Sequence, residues 1–343
     1  MRILVDAMGG DNAPKAVIKG AIAALKEESE LELILVGDKD KIQSLLAKED
    51  PELVKRIELI HASSVVLNSD HPSLFLKTKA DSSMAICFEQ LRSNDDIGGF
   101  ISAGPTGALL TGSILRIGRL EGVHRPALLS TLPTRKGHSV YLLDSGANVD
   151  SRPEYLVQFA LMGDVYLKSI GLVEPRIALL NIGSEEGKGN ELIKSTFPLI
   201  QSLPLNFVGN VEPDHVQKDE VDLVVADGFH GNILLKGIEG GASYAAGLFK
   251  HALKRNIFTK FVSLFLLHSI NKSVAPLNKA LNSCAPLLGT KKLVVKCHGK
   301  GKDETFRQTI VTTYKLAKAN FIANLQEAIA ESVKKENENV RED

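Results

Sequence analysis

The chain has no tryptophan and only 5 tyrosines, and aromatic residues make up 5% of it. So little aromatic surface offers no stacking platform for bases, and nucleic acid is not expected as a partner. Cysteine is equally scarce. Cys87, Cys284 and Cys297 form no C-x-x-C pair, and 3 scattered thiols make neither a disulfide framework nor a zinc cage. That usage fits a reducing cytosol. No run of eighteen apolar residues occurs, which excludes an ordinary membrane-spanning helix. The opening Met1-Arg2-Ile3-Leu4-Val5 meets Asp6 too soon for a signal peptide, so a cytoplasmic location is expected. An excess of either charge is also missing: 41 basic and 41 acidic residues cancel, and electrostatic recognition must come from local clusters.

What is present is an ordinary globular composition, 44% hydrophobic and 24% charged over 343 residues, enough for one or two packed lobes. Short apolar runs end in Gly, Asn or Asp and lead into helical sequence, as at Ile3 to Asp6, Leu33 to Gly37, Ile101 to Gly104, Ile177 to Gly183 and Val221 to Gly228. That alternation predicts an α/β fold, a three-layer α/β/α sandwich on a mainly parallel sheet, with ligands gathered at the carboxyl ends of the strands. Leu128 to Leu132 and Ser139 to Leu143 flank a turn and read as a hairpin. Long helical sequence follows Gly231 to about Asn282, then a strand at Leu293 to Lys296 and a terminal helix from Asp303 to about Ser332. The expected organisation is a single catalytic unit over 1–333 with a cleft between two lobes, a projecting helical segment at 240–285, and a charged tail at 334–343.

The candidate chemistry lies in the turns after the strands. In DAMGGDNAP, Asp6 ends a strand, Gly9 and Gly10 allow close backbone approach, and Asp11 is a plausible N-cap before Pro14. In SAGPTGA, Ser102, Gly104 and Thr106 mark a small-residue turn into a helix, a place that suits an anion or merely tight packing. The segment NIGSEEGKGNE has its glycines too closely spaced for a Walker A loop, and Gly189 stands where Ser or Thr is required. It still presents Asn181 and Lys188, a mobile cation suited to an oxyanion. DSGANVD supplies Asp144 and Asn148, and DGFHGN supplies Asn232. Paired aspartates admit magnesium in principle, but turn capping is the favoured reading and no metal is assigned. His298, beside a glycine turn, is a rim candidate, while Cys297 reads as a buried strand residue. No G-x-G-x-x-G follows any strand.

Between Glu239 and Asp303 there is no acidic residue, while lysines alternate with Phe258, Phe261, Leu264 and Phe265. Basic residues beside apolar ones, in a stretch too short to span, suit contact with an anionic membrane surface; the competing reading is a buried dimer helix.

Taken in order, DAMGGDNAP, SSM at Ser82 to Met84, SAGPTGA, LLDSGANVD, GKGNE, DGFHGN and KCHG at Lys296 to Gly299 resemble the bacterial phosphate acyltransferase family known as PlsX, from Met1 to about Ala330. Departures fall at Pro105, His230, Ser283 and Cys284. The resemblance implies a fold similar to the isocitrate and isopropylmalate dehydrogenases, a homodimer, and neither metal nor organic cofactor. It implies that inorganic phosphate attacks the thioester of a long-chain acyl group on acyl carrier protein. The acyl phosphate formed would pass to a membrane glycerol-3-phosphate acyltransferase. Position in the turns after the expected strand ends places Lys188, Asn181, His298 and Asp6 in the chemistry, with Gly9, Gly10, Asp11, Ser102, Gly104, Thr106, Asp144, Asn148 and Asn232 around the substrates. A phosphotransacetylase acting on coenzyme A esters, or a non-catalytic membrane-surface adaptor, are the competing readings.

Overall fold

A computed structural model describes residues 1–253, 255 and 284–342, without the side chains of 333 and 335–342. The membrane-contact residues Phe258, Phe261, Leu264 and Phe265 lie outside the described residues. The chain divides into two compact units, one formed by Met1–Leu129, Leu161–Glu174 and Asn282–Asp343, the other by Ser130–Ala160 and Pro175–Leu281.

The first unit holds seven strands: β1 (Arg2–Asp6), β2 (Glu32–Gly37), β3 (Ile57–His61), β4 (Ile97–Ser102), β5 (Ala127–Leu128), β11 (Ala285–Leu288) and β12 (Val294–Lys296). They form one sheet in the order β3-β2-β1-β4-β12-β11-β5. The strands from β3 to β12 in this order run parallel, and β11 is antiparallel to both of its neighbours. Period-two alternation gives the sheet two apolar faces. On one, Leu4, Ile34, Val36 and Phe100 pack with Met84, Cys87, Phe88 and Leu91 of the helix Ser83–Ser93. On the other lies the helix Asp303–Lys318, whose Thr313 sits against Gly99 of β4. The same helix meets Lys15–Glu27 at Gly20, where a Cβ would come within 2.5 Å of the Phe306 Cβ. Helices therefore cover both faces, as the alternating pattern predicts.

The second unit carries β6 (Ser130–Pro133), β7 (Ser139–Leu143), β8 (Ile177–Leu180), β9 (Phe207–Val211) and β10 (Leu223–Val225) in a sheet of order β6-β7-β10-β8-β9. Here β6 is antiparallel to β7, whereas β10, β8 and β9 continue in parallel from β7. Val140, Leu142, Ala178 and Val224 form its core, covered by Leu234, Leu235 and Ile238 of the helix Gly228–Leu253.

Several boundaries differ from the sequence reading. The hairpin starts at Ser130, because Leu128 pairs with Leu287 in the other sheet. Asp11 caps nothing: the first helix begins at Lys15 with Pro14 at its N-cap and no side-chain cap. The Asp11 backbone N–H instead donates to the Gly299 carbonyl at 2.8 Å. The terminal helix is two helices, Asp303–Lys318 and Phe321–Glu342, broken at Asn320, whose φ of 52° is the left-handed conformation that Asn tolerates. Ala285–Leu288 forms a strand that the sequence reading does not include. No described helix is long and apolar enough to cross a membrane.

Candidate active site

Asp6, Ser102 and Lys296 are the last residues of β1, β4 and β12, three neighbouring parallel strands, and the register sets Lys296 opposite Ser102. The fold thus delivers three polar side chains to one rim of the first unit. Asp6 and Ser102 are fully buried. The Ser102 hydroxyl donates to Asp6 Oδ2 at 2.7 Å and accepts from the Gly104 N–H at 3.0 Å, while Met8 N donates to Asp6 Oδ1 at 3.1 Å. Burial pushes the Asp6 carboxyl up from the ordinary aspartate value, against the opposing pull of these donors.

The glycines of this rim serve contact. A Cβ on Gly9 would stand 2.7 Å from both Asp6 Oδ2 and the Gly104 nitrogen, and Gly10 has φ +94° with Ala103 and Gly299 pressed against it. Gly9, Gly10, Asp6, Ser102 and Gly104, proposed from the sequence as neighbours, do meet. Thr106 lies in the first turn of Thr106–Gly112, half-buried, and Asp11 is exposed at the edge. The His298 ring accepts from the Lys300 N–H through Nδ1 at 3.2 Å, so that nitrogen is engaged by its own loop.

Lys296 is the residue that sequence reasoning passed over, although it opens the KCHG motif. Its Nζ donates to the carbonyls of Cys297 at 2.6 Å and Ala103 at 3.2 Å. Burial lowers its pKa to about 8. A lysine closing an apolar strand, where a core side chain is expected, was the available signal.

In the second unit, β7, β10 and β8 lie side by side and their carboxyl ends carry Asp144, Asp227 and Asn181. The buried Asp144 carboxylate accepts the N–H groups of Gly146, Ala147 and Asn148, the last at 2.7 Å, and the Asn148 amide at 2.9 Å. Asp227 accepts from the N–H groups of Phe229 and His230, each at 3.0 Å, and its Oδ2 lies 2.5 Å from His230 Nδ1. Both aspartates thus organise backbone loops, the capping role that the sequence favoured over magnesium. Among the described residues no cluster of three His, Cys, Asp or Glu side chains is arranged for a metal. Gly228 and Gly231 let these loops touch: a Cβ on Gly231 would sit 1.9 Å from the Asp144 carbonyl oxygen. Asn232 is exposed beside Gly146.

Asn181 is buried, and its amide grips its own loop, accepting from the Ile182 N–H at 2.8 Å and donating to the Lys188 carbonyl at 3.1 Å. Gly189, at φ +97°, fits against that amide. The backbone of Lys188 is therefore fixed while its side chain is exposed. Asn181 positions the loop, and Lys188 is the group available to a ligand. The predicted site residues thus form two clusters: Asp6, Gly9, Gly10, Asp11, Ser102, Gly104, Thr106 and His298 on the first unit, and Asp144, Asn148, Asn181, Lys188 and Asn232 on the second.

Comparison with known proteins gives the family. A family model described as "Fatty acid synthesis protein" matches residues 1–324. A protein of Brevibacillus brevis named phosphate acyltransferase is 40% identical over 339 residues, covering 98% of this chain and 100% of the relative. One of the same name from Thermoanaerobacter pseudethanolicus is 42% identical over 325 residues, covering 94% of each. Among solved structures, a phosphotransacetylase from Streptococcus pyogenes aligns with a TM-score of 0.58 at 16% identity, covering 93% of this chain and 94% of that one, a likeness of fold. Matched at this level along nearly its whole length, the chain belongs to the phosphate acyltransferase family and is an acyltransferase.

Proposed function

We propose that the chain transfers a long-chain acyl group from the thioester of acyl carrier protein to inorganic phosphate. A phosphate oxygen attacks the thioester carbonyl, a C–O bond forms, the C–S bond breaks, and the carrier thiolate leaves and takes up a proton. Phosphate is already an anionic nucleophile and a thiolate leaves readily, so no covalent enzyme intermediate is required. Positioning and charge neutralisation supply the acceleration.

The observation that carries this reading is the near full-length match to proteins named phosphate acyltransferase. The two glycine-packed rims support it, each at the carboxyl ends of parallel strands, where α/β sheets hold ligands. In this reading Asp6, Ser102 and the glycines of the first unit shape a phosphate cradle. The test is thiol release from long-chain acyl carrier protein with and without phosphate, and from the matching coenzyme A ester. Release from the carrier that requires phosphate is expected. Release from the coenzyme A ester alone would favour the phosphotransacetylase reading, for which only the shared fold speaks. No release from either would favour the membrane-surface adaptor.

The acyl phosphate is a reactive mixed anhydride that hydrolyses in water, so its natural consumer is a membrane glycerol-3-phosphate acyltransferase. A cytoplasmic homodimer touching the anionic inner face of the membrane would deliver it there. Tyr244 and Phe249, exposed on the helix Gly228–Leu253, belong to the acid-free segment and support such a contact.

A further inference from the structure

Resting on the proposed transfer to phosphate, we propose that the Lys296 ammonium is the cation that holds inorganic phosphate at the rim formed by β1, β4 and β12. An ammonium carries three hydrogens. Two of those on Lys296 meet the carbonyls of Ala103 and Cys297, and among the described residues it forms no ion pair with a carboxylate. Asp6 and Asp11 act on it without closing an ion pair, and a mostly buried cation left so is costly in a folded protein unless something nearer brings a negative charge. An anionic substrate is such a group.

A second observation points to the same place. The Ser83 hydroxyl is fully buried, faces the Asp6 carboxyl, and has no hydrogen bond of normal geometry among the described residues. Asp6, which would otherwise repel an anion, is held towards its neutral form by burial. Gly10 and Gly104 keep side chains away from the backbone beside it. The rim therefore presents a cation with a third N–H to give and a buried hydroxyl beside glycine backbone, groups that suit an oxyanion.

A lysine that merely tied two carbonyls together would affect stability alone. A phosphate-binding lysine makes phosphate affinity depend on its own protonation. The charged and titratable groups acting on it are Asp6, Asp11 and the Cys297 thiol, with His298 next along the loop. Since its pKa is near 8, phosphate affinity should fall as pH rises through that value. Arginine stays charged throughout this range.

The test measures binding of inorganic phosphate alone to the full chain by equilibrium dialysis across pH 6.5 to 9.5, with thiol release from acyl carrier protein assayed in parallel. Lys296→Met should weaken phosphate binding and raise its KM by about ten- to a hundredfold, the worth of a hydrogen bond to a charged group. Lys296→Arg should keep measurable binding and lose the fall near pH 8. Unchanged phosphate affinity in a folded Lys296→Met protein overturns the proposal. If that variant does not fold, a fall near pH 8 that persists in Lys296→Arg overturns it equally. Lys296-dependent binding in a wild-type protein that releases no thiol would overturn the transfer reading and leave the subsite standing.

Discussion

The Ser102 hydroxyl bridges Asp6 and Gly104: it donates to the Asp6 carboxyl at 2.7 Å and accepts from the Gly104 N–H at 3.0 Å, with Asp6 and Ser102 both buried. Ser102→Ala removes both bonds and leaves two buried polar groups short of a partner. An unmet buried group costs about 1–3 kcal/mol, so denaturant unfolding should show a loss of that order. A midpoint equal to that of the wild type would mean that water replaces the hydroxyl.

Asp6 makes the stability of the fold depend on pH in one direction. Its folded pKa is raised by burial, so its contribution to stability is fully present below the unfolded value and is lost as pH rises through the folded one. Ionisation of a buried carboxyl therefore opposes folding at neutral pH. The near-isosteric Asp6→Asn cannot ionise. Its Tm should exceed that of the wild type at pH 7, and the advantage should shrink as pH falls towards the ordinary carboxylate value. A Tm difference that is constant with pH would contradict this assignment.

The strands that carry these residues were legible because an apolar run ending in Asp, Ser or Asn before glycine gives both period and stop. Ile57–His61 and Phe207–Val211 were missed, since neither is a fully buried apolar run. The division into two sheets was not readable, because strand order depends on contacts far apart in sequence: β12 reaches β4 across nearly 200 residues. Asp144 and Asn181 follow their strands as the pattern implies, but pattern alone could not reveal that they grip backbone. Lys296 escaped notice for the opposite reason: a cation at a strand end looks solvent-facing until its burial is known.

Lys188 can be removed without disturbing its loop, since Asn181 holds the backbone carbonyl and the side chain is exposed. Lys188→Ala should keep the unfolding free energy within about 0.5 kcal/mol. Its turnover should drop by about a hundredfold, as expected for losing one group that stabilises an oxyanion. Wild-type turnover in that variant would remove Lys188 from the chemistry.

Two glycines should respond in opposite ways to the same change. A methyl on Gly231 collides with the Asp144 carbonyl oxygen at 1.9 Å, and neither backbone yields easily. Gly231→Ala should cost about 3 kcal/mol or more, or prevent folding. A methyl on Gly187 would have nothing within 4 Å, and Gly187 has no positive φ, so Gly187→Ala should melt with the wild type. Equal melting of the two variants would refute the packing argument.

The cysteines should prove dispensable. Burial pushes the Cys297 thiol up to about 11 and the Cys284 thiol up to about 12, and holds Cys87 far above its usual value. At neutral pH all three are thiols and poor nucleophiles. Native protein should resist alkylation, and Cys297→Ala should retain phosphate-dependent thiol release at a stability cost of about 1 kcal/mol. Complete loss of turnover in a folded Cys297→Ala protein would instead indicate an acyl-cysteine route.

Phe261 and Leu264 lie outside the described residues, and the acid-free sequence around them is what points to a membrane contact. Residues 240–302 contain no acid, and Lys250, Lys254, Arg255, Lys260, Lys272 and Lys279 stand among the phenylalanines and leucines of that stretch. Each basic residue near an anionic leaflet contributes about 1 kcal/mol, so several with shallow apolar insertion give reversible binding. Charge alone is not sufficient in this account, since the apolar side chains must enter the headgroup region. The double variant Phe261→Glu with Leu264→Glu should therefore fail to float with anionic vesicles while keeping its turnover on soluble acyl carrier protein. Flotation that survives the double substitution would place the contact elsewhere. Loss of the fold or of self-association would show that the segment is an apolar interface within the protein.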